Sequence, residues 1–161
     1  MKFVVDGMLG GLARWLRILG HHVLYDSKLN DTALLTRAAT QQMTLLTRDK
    51  ELYRRAVSKS ISTLLVSGES EDERLAQVSQ RYGISLTIDM EKTLCPACGS
   101  FLRSASGEEV SGQVPPASLR TYAPFWRCRN SDCGKIYWRG SHWKQINQTL
   151  AKARNLTGFK P

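Results

Sequence analysis

Seven side chains of this 161-residue chain have types and spacings that could do chemistry. Four are cysteines, paired as Cys95-Pro-Ala-Cys98 and Cys128-Arg-Asn-Ser-Asp-Cys133, with 29 residues between the pairs. A short turn of this kind aims two thiolates at one point, and two such turns facing each other complete a tetrahedral zinc centre. Gly99 and Gly134 follow the pairs, where a glycine lets the backbone swing round. Four protein ligands leave no position for a substrate water. The zinc is therefore expected to be structural, with binding energy on the order of 10 kcal/mol going into folding. Two disulfides are the competing use, with three possible pairings. The absence of a secretion signal argues for a reducing compartment and against them. A thioredoxin-like redox pair is a weak reading, because Cys95 and Cys98 do not sit between a strand and a helix.

The other three are aspartates at strand ends: Asp6 before Gly7-Met8-Leu9-Gly10-Gly11, Asp31 at the start of a helical pattern, and Asp49 in Leu45-Leu46-Thr47-Arg48-Asp49. Three carboxylates on one rim repel one another unless cations lie between them, and hard oxygen ligands suit Mg²⁺ or Mn²⁺. Metal-activated attack of water on a phosphodiester is the chemistry such a trio could run. Each aspartate alone also fits a helix N-cap, so spacing leaves both readings open. Asp26 is a further candidate. Glu71, Asp72 and Glu73 could supply a fourth acid, although acids at a helix start are also favoured by the helix dipole. The glycines after Asp6 give only a weak nucleotide-loop signal, since they miss G-x-G-x-x-G and no G-x-x-x-x-G-K-[ST] occurs.

The elements that must position these groups follow from hydrophobic periodicity. Residues 2–6, 22–25, 44–47 and 62–66 have the composition of short strands, and 85–88 of a fifth. Between them Leu9, Leu12, Leu16 and Leu19 form an apolar stripe, with Arg14 and Arg17 expected on the opposite, polar side and Gly20 as the stop. Further helices are expected over 31–39, 50–57 and 72–82, the last ended by Gly83. Strands alternating with helices must be mostly parallel. The expectation is a three-layer α/β domain over residues 1–90, with ligands at the carboxyl ends of its strands. From 91 to 161 the pattern changes to cysteine pairs, glycines, prolines and aromatics. This segment is expected to be a small zinc ribbon with a basic C-terminal tail, too poor in apolar surface to fold without its metal.

The charge divides along the same line. The formal net charge is +9, of which residues 1–93 carry +2 and residues 94–161 carry +7. Such a basic segment attracts a polyanion, and nucleic acid is the commonest in a cytoplasm, where the chain is expected to work. Aromatics and cations interleave beside the second knuckle: Phe125, Trp126, Arg127, Arg129, Lys135, Tyr137, Trp138, Arg139, His142, Trp143 and Lys144. Unstacked bases stack on rings while cations meet phosphates, so the pattern suits single-stranded or looped RNA. The same pattern also suits a ribbon core with solvated charges. Candidate RNA contacts are Arg14, Arg48, Arg127, Arg129, Lys135, Trp138, Arg139, His142 and Lys144. No apolar run is long enough to span a bilayer.

Four stretches in order, Asp6-Gly-Met-Leu-Gly-Gly-Leu-Ala-Arg-Trp-Leu-Arg-Ile-Leu-Gly20, Leu45-Leu-Thr-Arg-Asp-Lys50, the two cysteine pairs, and Tyr137-Trp-Arg-Gly-Ser-His-Trp143, resemble the Mut-seven C-terminal RNase domain family over roughly residues 1–146. The resemblance implies a PIN-like α/β nuclease domain followed by a zinc ribbon, and a metal-dependent ribonuclease. It implies Asp6, Asp31 and Asp49 as ligands of Mg²⁺ or Mn²⁺, and Cys95, Cys98, Cys128 and Cys133 as zinc ligands. His21-His22 after Gly20 and Asn30-Asp31 at the second helix depart from the family pattern without removing a ligand. A non-catalytic RNA-binding adaptor of a ribonucleoprotein is the alternative.

Overall fold

The computed structural model describes residues 1–158. The first strand shows how the sheet is built. In β1 (Lys2–Val5), Phe3 and Val5 enter one apolar cluster and Val4 the opposite one, so the strand is buried on both faces. It pairs in parallel with β2 (His22–Tyr25) on one side and β3 (Thr44–Thr47) on the other. β3 pairs in parallel with β4 (Thr63–Leu65), giving the strand order β2-β1-β3-β4. A 3-10 turn, Gly7–Leu9, leads into α1 (Gly10–Ile18), whose Leu12, Ala13 and Leu16 cover the Phe3 face together with Leu75 and Val78 of α4 (Glu71–Tyr82). The Val4 face is covered by α2 (Asp31–Thr40) and α3 (Lys50–Ser58) through Leu34, Leu35, Leu52 and Ala56. This is the expected three-layer α/β arrangement, with element ends within about two residues of those read from the sequence.

The second half contains an antiparallel sheet of β5 (Leu102–Ala105), β6 (Phe125–Cys128) and β7 (Ile136–Trp138), ordered β5-β6-β7. Two short helices, α5 (Gly107–Val110) and α6 (Pro116–Thr121), interrupt it, and Ala105, Val110, Val114 and Phe125 form a small core of their own.

Three expectations change. Residues 85–88 form no strand. Their alternation comes from burial, with Leu86 in the core and its carbonyl taken by Arg154 at 2.8 Å, rather than from pairing with a neighbour. The stretch expected as a basic tail contains a 16-residue helix, α7 (His142–Thr157), which returns to the α/β core and packs Leu150 and Ala153 beside α4. Residues 159–161, the end of that stretch, lie outside the described residues. Finally, Arg14 is exposed as expected, but Arg17 is only 5% exposed. No helix among the described residues is long and apolar enough to cross a membrane.

His21 gives the fold a pH response. Its ring stacks edge-on against Phe3 with centroids 5.9 Å apart, Nδ1 lies 3.3 Å from the terminal ammonium, and buried Nε2 has no partner. Burial first, then the terminal ammonium and His22, pull its pKa from 6.5 down to about 4. The unfolded chain therefore takes up a proton that the folded one refuses. The corresponding stability is whole above pH 6.5 and is lost as pH falls towards 4. Denaturant midpoints measured across that window should fall for the wild type and fall less for His21→Gln.

Candidate functional site

The sheet order explains why two of the three aspartates follow adjacent strand ends. The chain leaves β1 for β2 on one side and later enters β3 on the other, so helices depart to opposite faces at the β1/β3 junction. Crevices at such switch points, beyond the carboxyl ends of the strands, are where α/β sheets bind ligands. Asp6 follows β1 and Asp49 follows β3 at this crevice, with Val5 and Leu46 in register behind them. Thr47, fully buried, donates from Oγ1 to Asp6 Oδ2 at 2.8 Å and accepts from the Asp49 backbone N–H at 2.9 Å. One hydroxyl thus fixes the Asp6 carboxylate relative to the chain that carries Asp49.

The helix-capping alternative separates the three aspartates. Asp6 makes no side-chain cap to the following turn, so its carboxylate has no structural task there. Asp49 does cap α3, its Oδ1 accepting from the N–H groups of Glu51 at 2.7 Å and Leu52 at 3.0 Å. Asp31 is not a cap, because Asn30 fills that role for α2. It pairs instead with Arg55 of α3 at 3.1 Å. Asp26 is exposed and accepts from the Lys28 N–H at 2.9 Å. Among the described residues, no three carboxylates bring ligand atoms within 4.8 Å of one another.

Glu71 is one of the three acids at the start of α4 that could supply a fourth carboxylate. It lies in the first turn of α4, paired with Arg74 at 2.8 Å, while its Oε2 is buried without a partner. A Cβ on Gly11 would come within 2.5 Å of its Oε1, and one on Gly10 within 2.6 Å of the Tyr25 hydroxyl. These glycines therefore serve close packing at the amino end of α1, which accounts for them without a nucleotide loop. Ser70 and Glu73 form the capping box of α4, which leaves Glu71 free to pack against α1.

The cysteines form the second centre. All four are free, and their Sγ atoms lie within 4.8 Å of one another, with Cys95 to Cys133 at 3.8 Å and Cys98 to Cys128 at 3.4 Å. A tetrahedral zinc with bonds near 2.3 Å has sulfur–sulfur edges of about 3.8 Å, so the donor set and spacing fit that metal. Gly99 and Gly134 adopt φ of +80° and +57°, the left-handed turn expected after each pair. Burial pushes the Cys98 thiol up, but hydrogen bonds from Ser100 overcome it and leave it at about 6. Burial pushes Cys128 up to about 12. The Tyr137 hydroxyl lies 3.1 Å from Cys95 Sγ and orients it from outside the ligand set.

Arg17 joins the two halves. Its Nη1 donates to the carbonyls of Pro96 and Ala97, inside the first knuckle, at 3.2 and 3.1 Å, and its Nη2 to Val23 of β2 at 3.0 Å. The backbone of Leu94 donates to the Arg17 carbonyl at 2.9 Å.

Of the candidate RNA contacts, Arg129, Lys135, Arg139, His142 and Lys144 are exposed on the ribbon and the start of α7, and Arg14 is exposed on α1. Trp138 is half-buried. Arg48 pairs with Glu69 at 2.9 Å, beside the crevice. Arg127 turns inward to Glu109 at 3.2 Å and to Gln113, which leaves it occupied within the ribbon.

Comparison with known proteins finds that the family model described as the Mut7-C RNAse domain matches residues 1–150. No curated protein and no solved structure gives a significant match.

Proposed function

The chain belongs to the Mut7-C RNAse domain family, and from that premise we propose that it is a metal-dependent ribonuclease hydrolysing RNA phosphodiester bonds. The observation that carries the reading is Asp6, held by Thr47 beside Asp49 at the sheet's switch point and free of any capping role. In this reading residues 1–90 are a PIN-like nuclease domain, and the segment from 91 onward is a zinc ribbon that helps bind RNA in the cytoplasm.

Asp6 and the Oδ2 of Asp49 would hold Mg²⁺ or Mn²⁺, with Asp31 joining them on exchanging Arg55 for the cation. When bound, the metal would make a water acidic enough to lose its proton and so become a nucleophile for phosphorus, and would stabilise charge on the leaving oxygen. The protein's own part is to orient Asp6 through Thr47, to keep Asp49 fixed at the start of α3, and to present Arg48 to a phosphate. Arg48 sits close to Glu69, whose carboxylate is largely exposed and gives way readily to a phosphate. Zinc in the four-cysteine centre would hold the ribbon folded and take no part in hydrolysis.

The test is cleavage of unstructured and hairpin RNA by the purified chain across a titration of Mg²⁺ and Mn²⁺, beside Asp49→Asn. Product should require one of these ions and fall by about 10²-fold or more in the variant. A second reading, a non-catalytic RNA-binding adaptor, is favoured by the Asp31–Arg55 ion pair, which neutralises one member of the trio. It predicts salt-sensitive RNA affinity with no product in any divalent ion. That outcome would replace the nuclease.

A further inference from the structure

We propose that the hollow between the ribbon and the α/β core is a pocket for a single splayed-out nucleobase of RNA, with Arg139 as the clamp on its phosphate. The proposal rests on the RNA-binding part of the reading above and not on cleavage.

The register of the ribbon sheet sets the pocket apart from the ribbon's own core. Phe125 opposes Trp138 across β6 and β7, and both pack into the small ribbon cluster. Trp126 opposes Tyr137, one residue further along, and so faces the other side of the sheet. There the Trp126 and Tyr137 rings, together with Trp138, Trp143 of α7 and Ile88 of the α/β half, line an almost wholly apolar hollow of about 90 Å³ that is partly open to solvent. Packing of the ribbon explains the Phe125 side; it does not require aromatic rings on the Trp126 side.

Arg139 supplies the second half of the argument. Its guanidinium lies 5.7 Å from the ring centre of Trp126 and 5.0 Å from that of Trp143. Among the described residues no carboxylate pairs with it. From residue 94 onward the chain has only three acids against ten cations, and one of the three, Glu109, already serves Arg103 and Arg127. An apolar ligand has no use for an unpaired guanidinium, and a bare phosphate has no use for three indoles. A planar ring joined to a phosphate uses both. The base must be unpaired to enter, since an A-form duplex keeps its rings stacked inside. With so few polar groups in the wall, stacking rather than base-edge hydrogen bonding selects the occupant.

The test uses the zinc-loaded full chain without added Mg²⁺ or Mn²⁺, so that the strand stays intact. The probes are a ten-nucleotide single-stranded RNA, the same backbone carrying abasic sites, and a duplex. Dissociation constants come from anisotropy at fixed salt, with indole quenching recorded alongside. The intact strand should quench and bind about tenfold more tightly than the abasic strand. Trp143→Ala and Arg139→Gln should each lose about tenfold on the intact strand, Trp143→Phe should recover most of it, and Trp143→Ala should no longer distinguish intact from abasic RNA. If Trp143→Ala loses zinc or helix content, exposed Arg139→Gln decides. Equal binding of intact and abasic strands by the wild type, or of the duplex and single strand, overturns the pocket. So does conversion of a dimer to monomer by Trp143→Ala with RNA affinity unchanged, which assigns the hollow to a second copy. Cleavage without base discrimination would sink this proposal alone, and base discrimination without cleavage would sink the nuclease alone.

Discussion

An Asp6→Asn protein should lose RNA cleavage by a factor on the order of 10³, while binding single strands as tightly as the wild type or more tightly. Asparagine keeps an oxygen that can accept from Thr47, so the shape of the crevice survives and only the charge that would hold a cation disappears. Because Asp6 caps no helix, the substitution should leave thermal stability nearly unchanged. Removing a negative charge from a surface approached by phosphates lowers repulsion, hence the equal or tighter binding. Single-turnover cleavage, RNA affinity and melting temperature measured on one preparation separate these effects. A variant that cleaves like the wild type, with contaminating nuclease excluded, removes Asp6 from the chemistry. Asp49 behaves differently under truncation: Asp49→Ala should also destabilise by about 1 kcal/mol, because its Oδ1 is the N-cap of α3.

Cys95→Ser should abolish zinc binding and melt the ribbon. A serine hydroxyl is a poor ligand beside three thiolates, and the metal's contribution to folding is on the order of 10 kcal/mol. Cys95 is fully buried and touches Tyr137 of β7, so the loss falls at the centre of the ribbon and not at its edge. Metal analysis should drop from one zinc per chain to none, with loss of the near-ultraviolet signal of Trp126 and Trp138. Retention of a full equivalent of zinc would show that the centre is not assembled from these four thiols. RNA binding should fall in parallel, since Trp126 and Arg139 reach their places only through the folded sheet.

The parts of this molecule that were readable in advance are those in which local periodicity and tertiary burial agree. The strands at residues 22–25 and 44–47 and the stop at Gly83 are of this kind. Residues 85–88 show the limit, because Ile84 and Leu86 alternate with exposed neighbours as a strand's residues would, yet alternation reports burial and not hydrogen-bonded pairing. The helix α7 was legible and overlooked: Trp143, Ile146, Leu150 and Ala153 recur at spacings of three and four, but the charge and aromatic content of the same stretch drew attention to binding. Arg17 was not legible, since an arginine on the polar side of a leucine stripe is normally solvated, and the carbonyls that bury it lie about 80 residues away. At the candidate site, the strand ends gave Asp6 and Asp49 with Asp31 on one rim, and the structure links the first two through the Thr47 hydroxyl. The Arg55 partner of Asp31 depends on how α2 lies beside α3, which no local pattern encodes.

The placement of Arg17 makes the two halves of the chain one thermodynamic unit. Cutting the polypeptide near residue 93 to isolate the α/β half would remove the Pro96 and Ala97 carbonyls that cover and pair with the Arg17 guanidinium, and would strip Leu150 and Ala153 from the packing beside α4. With zinc in the four-cysteine centre, its scarcity would reach the α/β half by the same route, and its supply would set how much of the whole chain stands folded.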